Sequence, residues 1–246
     1  MSTPPGPVAL LRRLVDADPG RPRITVYDDT DSPTRGERVE LSARVLANWV
    51  AKAANLLQDE LDAGRGTVVR LDLPPHWRTL YWALAAWSVG ACVEVPAARG
   101  SGTDPEDAGT PADVVVTDDP AAAEAAEEGV LVTLAALARS APGPVPHGVI
   151  DEAKEVATHG DVFTAWEEPE DDDPALRADG STTSTTDLVP AAEPGRVHTA
   201  TTDTAAFLRT ALAAWAADGS VVLTRGEPDA EVLARRLASE GVTREA

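Results

Sequence analysis

Cysteine is nearly absent from this sequence, and its scarcity excludes the chemistry that cysteine pairs support. Cys92 is the single cysteine among 246 residues, so no internal disulfide can form. The four histidines share no metal-ligand spacing, and one cysteine cannot complete a usual zinc site. We therefore expect no metal site. A free thiol in an apolar segment favours a reducing compartment, so the expected location is the cytoplasm.

Long apolar runs and basic residues are scarce as well. No segment approaches the length needed to span a membrane, and residues 1–15 carry no continuous apolar stretch of the signal-peptide type. Acidic residues outnumber basic ones by 41 to 21, which gives a formal net charge of −20. Nucleic acids and anionic membranes bind basic surfaces, so this charge argues against both as partners. Only Lys52 and Lys154 are lysines, a shortage that bears on nucleotide binding below.

The most informative stretch is a strand, a helix and a second strand between residues 67 and 96. Residues 68–73 form an extended apolar run that two prolines end, and residues 77–89 then carry bulky apolar side chains at helical spacing. Gly90 stands where a helix C-terminal glycine belongs, and a short strand follows as far as Pro96. A unit of this length is a right-handed βαβ crossover, which predicts a parallel sheet.

Much of the remaining chain alternates strands and helices in a similar way. The clearest helix begins after Ser42 and carries apolar residues at helical spacing as far as Leu61. We predict a single α/β domain over residues 1–246. Residues 161–196 interrupt the pattern because they are acidic and rich in serine and threonine, so we predict an exposed, partly mobile loop there. No strand is predicted after the last helix, which ends near Ser239.

Glycines and prolines follow a familiar order along residues 64–96. The features, in chain order, are Gly64, Gly66, Leu73-Pro74, Gly90-Ala91 and Val95-Pro96. Together with residues 203–243, this order resembles the opening half of the adenylate-forming enzymes, the acyl-CoA synthetase and adenylation-domain superfamily. The resemblance implies a three-layer α/β fold with a mainly parallel sheet flanked by helices, like the N-terminal subdomain of those enzymes. It covers most of this chain but only about the first half of a complete family member.

The departures from that family concern ATP. In the family, a Ser/Thr/Gly-rich loop and a following lysine hold the phosphates, because amides and hydroxyls bind the anion and the cation offsets its charge. The hydroxyl residues that stand in place of this loop, as a vestigial nucleotide-binding run, are Ser181, Thr182, Thr183, Ser184 and Thr185. No lysine follows them, Asp187 stands nearby, and six carboxylates precede them between Glu167 and Asp173. Like charges about 4 Å apart repel by about 1 kcal/mol in water, and by several-fold more in a partly desolvated site.

These departures predict a non-catalytic, degenerate homologue with a binding or interaction role. The family's adenine-contacting motif, ribose-binding aspartate, hinge and C-terminal lid with its catalytic lysine have no counterpart in these 246 residues. We therefore assign no catalytic residue and expect no cofactor. The alternative is a reduced acyl-activating, AMP-forming ligase-like protein that still binds a nucleotide or acyl ligand, with ATP and Mg²⁺ as its cofactors.

The Ser/Thr run and the acidic run also have simpler explanations. Residues 181–185 are either a residual anion site or a solvated linker, and their composition favours the linker. The acidic residues 167–173 are either a divalent-cation site or a solvated charged loop. They lack the alternating ligand spacing and the glycine of a calcium loop, so the solvated loop is favoured.

His76 and the helix that follows it leave further alternatives open. His76 comes after the central strand, at the edge where open α/β sheets bind ligands, so it is the candidate residue of a ligand cleft. A turn histidine is favoured, because no nucleophile or carboxylate stands nearby in the sequence. The helix from Trp77 to Trp87 is apolar on most of its circumference, which predicts burial on two sides. Burial beneath another helix is favoured over a protein partner or a second copy of the chain.

Overall fold

The computed structural model describes residues 6–97, 111–191 and 193–246, and every element named below lies within these ranges. The helices are α1 (Pro7–Ala17), α2 (Ala43–Asp59), α3 (Trp77–Ser88), α4 (Pro120–Ala125), α5 (Glu152–Glu155), α6 (Thr204–Ala216) and α7 (Ala230–Ser239). The strands are β1 (Pro22–Asp28), β2 (Arg38–Ser42), β3 (Val68–Asp72), β4 (Cys92–Glu94), β5 (Val114–Thr117), β6 (Glu128–Leu131), β7 (Ile150–Asp151), β8 (Pro174–Ala178), β9 (Ser181–Ser184), β10 (Arg196–Thr199), β11 (Ser220–Arg225) and β12 (Arg244–Glu245).

The strands form two sheets. One has the order β12-β10-β11-β1-β2, and the other has the order β7-β6-β5-β3-β4-β8-β9. Neighbouring strands are parallel except for the pairs β1–β2 and β8–β9, each at one edge of its sheet. Strands β3 and β4 are parallel neighbours joined by α3, as the βαβ pattern predicts. The predicted α/β class, with mainly parallel strand pairing flanked by helices, is therefore confirmed, although the strands divide between two sheets where one sheet was expected.

Helix α3 is the centre of the packing. All twelve of its residues are buried, and it contacts β3 and β4 of one sheet, β1 of the other sheet, and helices α1, α2 and α6. The partly buried Trp49 of α2 stacks on Tyr81, with ring centroids 5.7 Å apart. Each large apolar side chain buried in this way contributes about 1.5–3 kcal/mol relative to an exposed one. Because α3 has no exposed residue, its burial beneath other elements of the chain, the favoured expectation, agrees with the structure, and the alternative of a partner or second copy through Trp77–Trp87 has no exposed side chain to contact.

Residues 161–196 contain more regular structure than the sequence predicts. Strands β8 and β9 form an antiparallel hairpin, and Asp179 and Gly180 make its two-residue turn with φ values of 52° and 70°. Such positive φ angles at both central positions are typical of the type I′ turn, for which Asp-Gly is a favoured pair. The apolar residues of β8 are buried, whereas β9 is a polar edge strand without a hydrophobic pattern. The sequence pattern therefore gave no sign of β9.

Helix α7 is held mainly by charged groups, since none of its residues is buried. Arg236 makes two hydrogen bonds to the Asp29 carboxylate, at 2.7 and 3.0 Å, and its guanidinium lies 4.1 Å from the centroid of the Tyr27 ring. Glu240, just after the helix, accepts a hydrogen bond from Tyr27 and pairs with Arg196. Although burial opposes it, the hydrogen bonds from Tyr27 and two arginines lower the pKa of Glu240 to about 2.

Two short segments differ from the sequence-based expectations. Strand β12 follows α7 and pairs in parallel with β10, where no strand was predicted. It has two residues and no large apolar side chain, which is too little for a hydrophobic pattern to show. Residues 149–158, whose sequence favours one helix, form β7, the single turn of α5 and a short 3₁₀ turn at Val156–Thr158.

Candidate ligand site at the strand ends

His76 lies at the carboxyl edge of the seven-stranded sheet, between the end of β3 and the start of α3. The hydroxyl of Thr204 donates to the Leu73 carbonyl at 2.8 Å, and the hydroxyl of Thr79 donates to the Pro74 carbonyl at 2.6 Å. These bonds fix the connection that carries His76. The imidazole Nδ1 accepts a hydrogen bond from the Arg78 amide at 3.3 Å, so His76 is the N-cap of α3.

The His76 ring is neutral in the folded protein. The side chain is only 2 % exposed, and burial together with the charges of Arg225 and Arg78 holds its pKa well below the ordinary 6.5, while Asp28 opposes the shift. Because Nδ1 accepts a bond, Nε2 carries the proton. The buried, neutral ring therefore has one hydrogen-bond donor, its Nε2–H. Sequence reasoning placed His76 correctly at the strand end but found no carboxylate near it.

That carboxylate comes from the other sheet. Asp28 ends β1 and Arg225 ends β11, and the two residues are direct partners in the parallel register. Arg225 Nη1 lies 2.5 Å from Asp28 Oδ2, and the hydroxyls of Thr30 and Thr34 donate to the same carboxylate. Burial alone would raise the pKa of Asp28, but these hydroxyls, the Thr30 amide and Arg225 lower it overall. The ends of β1, β3 and β11 thus bring an ion pair and a neutral imidazole within electrostatic reach of one another.

The buried imidazole makes stability depend on pH, and the sign follows from its lowered pKa. Below about pH 6.5 the unfolded chain protonates His76 and the folded chain does not, so stability falls as the pH falls. We expect the free energy of unfolding to decrease between pH 7 and pH 5, by at most about 1.4 kcal/mol per pH unit from this group. Urea denaturation at several pH values measures it.

In the same series of measurements, His76→Asn should reduce the slope of the free energy of unfolding against pH. Asparagine can still act as an N-cap, but it does not titrate. The slope should not vanish, because burial also lowers the pKa of His198. His147→Asn, at an exposed loop position, is the matched control. Equal slopes in His76→Asn and the parent protein would contradict the buried, neutral imidazole.

Beside His76 lies a buried ion pair that sequence reasoning missed. Arg78, 2 % exposed, points Nη1 at Glu152 Oε1 across 2.6 Å, and Glu152 is fully buried. The Tyr81 hydroxyl donates to the same carboxylate oxygen, and the Arg78 guanidinium also lies 4.5 Å from the centroid of the Trp77 ring. Burial raises the pKa of Glu152, which Arg78 and Tyr81 oppose. The available signal was Arg78 itself, because a charged residue inside an otherwise apolar helix requires a buried partner.

The Ser/Thr run lies in the β8–β9 hairpin, and several of its donors are engaged there. The hydroxyl of Ser184 donates to the Asp187 carboxylate at 2.9 Å. The amide and the hydroxyl of Thr185 both donate to the Asp173 carbonyl, at 3.0 and 3.3 Å. The hydroxyl of Ser181 donates to the Ala178 carbonyl at 2.9 Å. A phosphate loop instead leaves such donors free to converge on an anion.

Only the Ser181 end of the Ser/Thr run shares the carboxyl edge of the sheet with His76, because β9 then runs back until Ser184 pairs with Pro174 at the start of β8. The turn of the hairpin follows the carboxyl end of β8, as His76 follows the carboxyl end of β3. Strands β4 and β8 lie between β3 and β9. Three strand spacings amount to about 14 Å, so the two candidate positions do not form one compact set. The assignment of residues 181–185 as a vestigial nucleotide site stays a prediction.

The acidic run is partly neutralised by one arginine. Arg65, in the turn between α2 and β3, makes two hydrogen bonds of 2.9 Å to the Asp173 carboxylate. The same guanidinium pairs with Glu170 at 2.9 Å and with Glu167 at 3.2 Å. The hydrogen bond from Arg65 lowers the pKa of Asp173. The run is therefore a bound segment of the surface, more ordered than the solvated loop favoured from its composition.

The described part of the chain holds no cluster of metal ligands at either candidate position. Among the described residues, no three His, Cys, Asp or Glu side chains are arranged to hold a metal ion. Likewise, no helix in the described ranges is long and apolar enough to cross a membrane. Two open clefts of about 320 and 370 Å³ lie elsewhere, one beside residues 237–245 and one beside Glu60 and residues 145–155.

The layered fold matches known structures. The N-terminal subdomain of Klebsiella oxytoca NpsA aligns over 99% of this chain with a TM-score of 0.62 and 16% identity. An acyl-CoA synthetase of Brucella canis aligns over 96% with a TM-score of 0.72 and 18% identity, and a fatty acyl CoA synthetase of Mycobacterium tuberculosis over 98% with 0.68 and 15%. The chain spans 61%, 46% and 48% of these three proteins. Its fold is that of the N-terminal part of adenylate-forming enzymes.

Sequence comparison gives the nearer relationship. A Mycobacterium tuberculosis protein described as a "TIGR03089 family protein" is 37% identical over 252 residues, which cover 96% of each chain. The chain therefore belongs to the TIGR03089 family. No family model matches the sequence.

Proposed function

We propose that this chain is a non-catalytic relative of the adenylate-forming enzymes, acting in the cytoplasm through binding or interaction with another molecule. The observation that carries the proposal is that several hydrogen-bond donors of the Ser/Thr run are already engaged by other groups of the chain. The hydroxyl of Ser184 donates to the Asp187 carboxylate, and the amide and hydroxyl of Thr185 donate to the Asp173 carbonyl. The free, buried Cys92 supports the cytoplasmic part, since such thiols persist in reducing compartments.

The charges around the hairpin support the same conclusion. A triphosphate placed at residues 181–185 would meet Asp187 directly, and the carboxylates of residues 167–173 lie upstream of the same hairpin. Arg65 already holds three of those carboxylates, so its charge is compensated. Repulsion of about 1 kcal/mol per contact at about 4 Å in water, and more after desolvation, opposes phosphate binding unless a divalent cation is recruited.

One observation favours the alternative, a reduced acyl-activating protein that binds ATP and Mg²⁺. Arg177 of β8 is the direct register partner of Thr182 in β9, so its side chain stands on the same face about 5 Å away. An arginine at this position would supply the positive charge that the family's lysine gives to the ATP phosphates. Glu94 of β4 is also a register partner of Arg177, but its carboxylate accepts a hydrogen bond from Arg70 at 2.6 Å.

Pyrophosphate exchange tests the two proposals directly. The purified chain is incubated with ATP, Mg²⁺, labelled pyrophosphate and a panel of aliphatic, aromatic and amino acids. The non-catalytic proposal predicts exchange no greater than in a protein-free blank for every acid. A full-length acyl-CoA synthetase, assayed alongside, shows that the reagents work. Exchange with any acid that disappears in Arg177→Ala would overturn the proposal in favour of the alternative.

A further inference from the structure

Residues 157–166, here called the strap, are fixed along one side of helix α2. Lys52 donates to the His159 carbonyl at 2.5 Å, and Asn55 donates to the Gly160 and Val162 carbonyls, each at 3.0 Å. Gln58 donates to the Thr164 carbonyl at 3.2 Å and accepts from the Trp166 amide at 2.9 Å. Positions 52, 55 and 58 recur every three residues and so share a helix face. The strap backbone is therefore held by a rigid element.

The strap nevertheless leaves two large apolar side chains in solvent. Val162 is 81 % exposed and Trp166 is 68 % exposed, whereas Phe163 between them packs against the core. Tryptophan is highly buried on average, and it is enriched among the residues that contribute most to protein interfaces. Because Gln58 and Asn55 fix the backbone, little conformational entropy would be lost when these side chains are covered.

The charges beside Trp166 define what could cover it. Asp161 precedes it, and Glu167 and Glu168 follow it directly; the side chain of Asp161 is 57 % exposed and that of Glu167 is 67 % exposed. Lys52 pairs with Asp161 and Arg65 pairs with Glu167, so these two cations offset part of the negative charge. The outward rim stays acidic in a chain of net charge −20. A second copy would bring like charges together, which opposes self-association through this surface.

We propose that the strap is a docking surface for a basic protein segment, with an apolar side chain packed on Trp166 and lysine or arginine facing Glu167 and Glu168. The proposal deepens, and rests on, the binding role proposed above. The docking surface lies on the strap along α2, whereas every residue of α3 is buried. The partner's charge follows from complementarity with the rim, and its apolar contact follows from the exposed indole.

A peptide-selection experiment tests the docking surface. A displayed library of random twelve-residue peptides is selected on the purified full chain, and an enriched peptide is synthesised and labelled. Fluorescence anisotropy then gives its dissociation constant for the parent chain, for Trp166→Ala and for Leu137→Ala. Leu137 is the matched control, because it is apolar, 93 % exposed and outside the strap. We expect lysine- or arginine-rich peptides that bind Trp166→Ala at least tenfold more weakly and Leu137→Ala equally well, as for an interface hot spot.

Charge and self-association complete the test. Glu167→Gln with Glu168→Gln should weaken binding several-fold and reduce its salt dependence. Equal binding to Trp166→Ala, enriched peptides without basic residues, or no enrichment at all would overturn the proposal. A dimer in sedimentation that Trp166→Ala abolishes would also overturn it, in favour of a second copy. Each of these outcomes is independent of pyrophosphate exchange, so the docking surface can fail while the non-catalytic role stands.

Discussion

Replacing Glu152 by alanine is expected to lower the free energy of unfolding by about 3–5 kcal/mol. The carboxylate is fully buried, and the Arg78 guanidinium that faces it is 2 % exposed. Its removal leaves a positive charge in the core without a counter-charge and takes the acceptor away from the Tyr81 hydroxyl. Urea denaturation of the parent and the variant at neutral pH measures the difference.

Two companion variants separate the lost charge pair from a general sensitivity of this segment. Glu155→Ala removes a neighbouring carboxylate whose partner, Lys154, is 66 % exposed, so the change should stay below about 1 kcal/mol. The double variant Arg78→Met, Glu152→Ala removes both charges. It should be more stable than Glu152→Ala alone, because no unpaired charge remains. If Glu152→Ala lost less than about 1 kcal/mol, the buried pair would not exist as described.

Replacing Arg23 by methionine is expected to lower the free energy of unfolding by about 3 kcal/mol. Arg23 is completely buried, and its Nη1 donates to the carbonyl oxygens of Asp218 and Gly219 at 2.9 and 3.1 Å, just after α6 ends. Its Nη2 also lies 2.8 Å from the Asp218 carboxylate. Methionine fills much of the same volume but donates no hydrogen bond. Carbonyl groups at the carboxyl end of the helix would then lose their partner and the favourable positive charge.

Arg21→Met is the matched control for this prediction. Arg21 pairs with the same Asp218 carboxylate at 2.9 Å, but its side chain is 43 % exposed. Exposed ion pairs contribute about 0–1 kcal/mol, so this variant should be close to the parent. Thermal unfolding of both variants provides the comparison. If Arg23→Met and Arg21→Met lost equal free energy of unfolding, the burial of Arg23 would not be the source of the stabilisation.

The parts of the fold that could be predicted are those with a periodic apolar pattern. Residues 68–94 show strand, helix and strand spacing, and the structure has β3, α3 and β4 there as parallel neighbours. The helix after Ser42 was predictable for the same reason, and Ser42 does cap it by accepting from the Val45 amide. In these stretches local propensity and burial point to the same structure, so the pattern alone was sufficient.

The parts that could not be predicted depend on partners far away in the chain. Strand β9 has no apolar pattern and exists because β8 pairs with it across the Asp179-Gly180 turn. The pairing of Glu152 with Arg78 joins residues 74 positions apart. Asp28 reaches the surroundings of His76 only because β1 belongs to the second sheet. Composition identified the acidic run, but it could not show that Arg65 binds three of its carboxylates.

The central claim is that the Ser/Thr run of this chain does not bind the phosphates of ATP. Its most direct test is thermal unfolding of the purified chain at increasing concentrations of ATP and Mg²⁺. The unfolding temperature is expected not to change with nucleotide concentration. The Ser/Thr run is part of a hairpin in which several of its donors are occupied, and carboxylates lie close to it in the sequence. A ligand at a hundredfold its dissociation constant would stabilise the fold by about 2.7 kcal/mol. A saturable rise of that kind with ATP and Mg²⁺, lost in Arg177→Ala, would contradict the account.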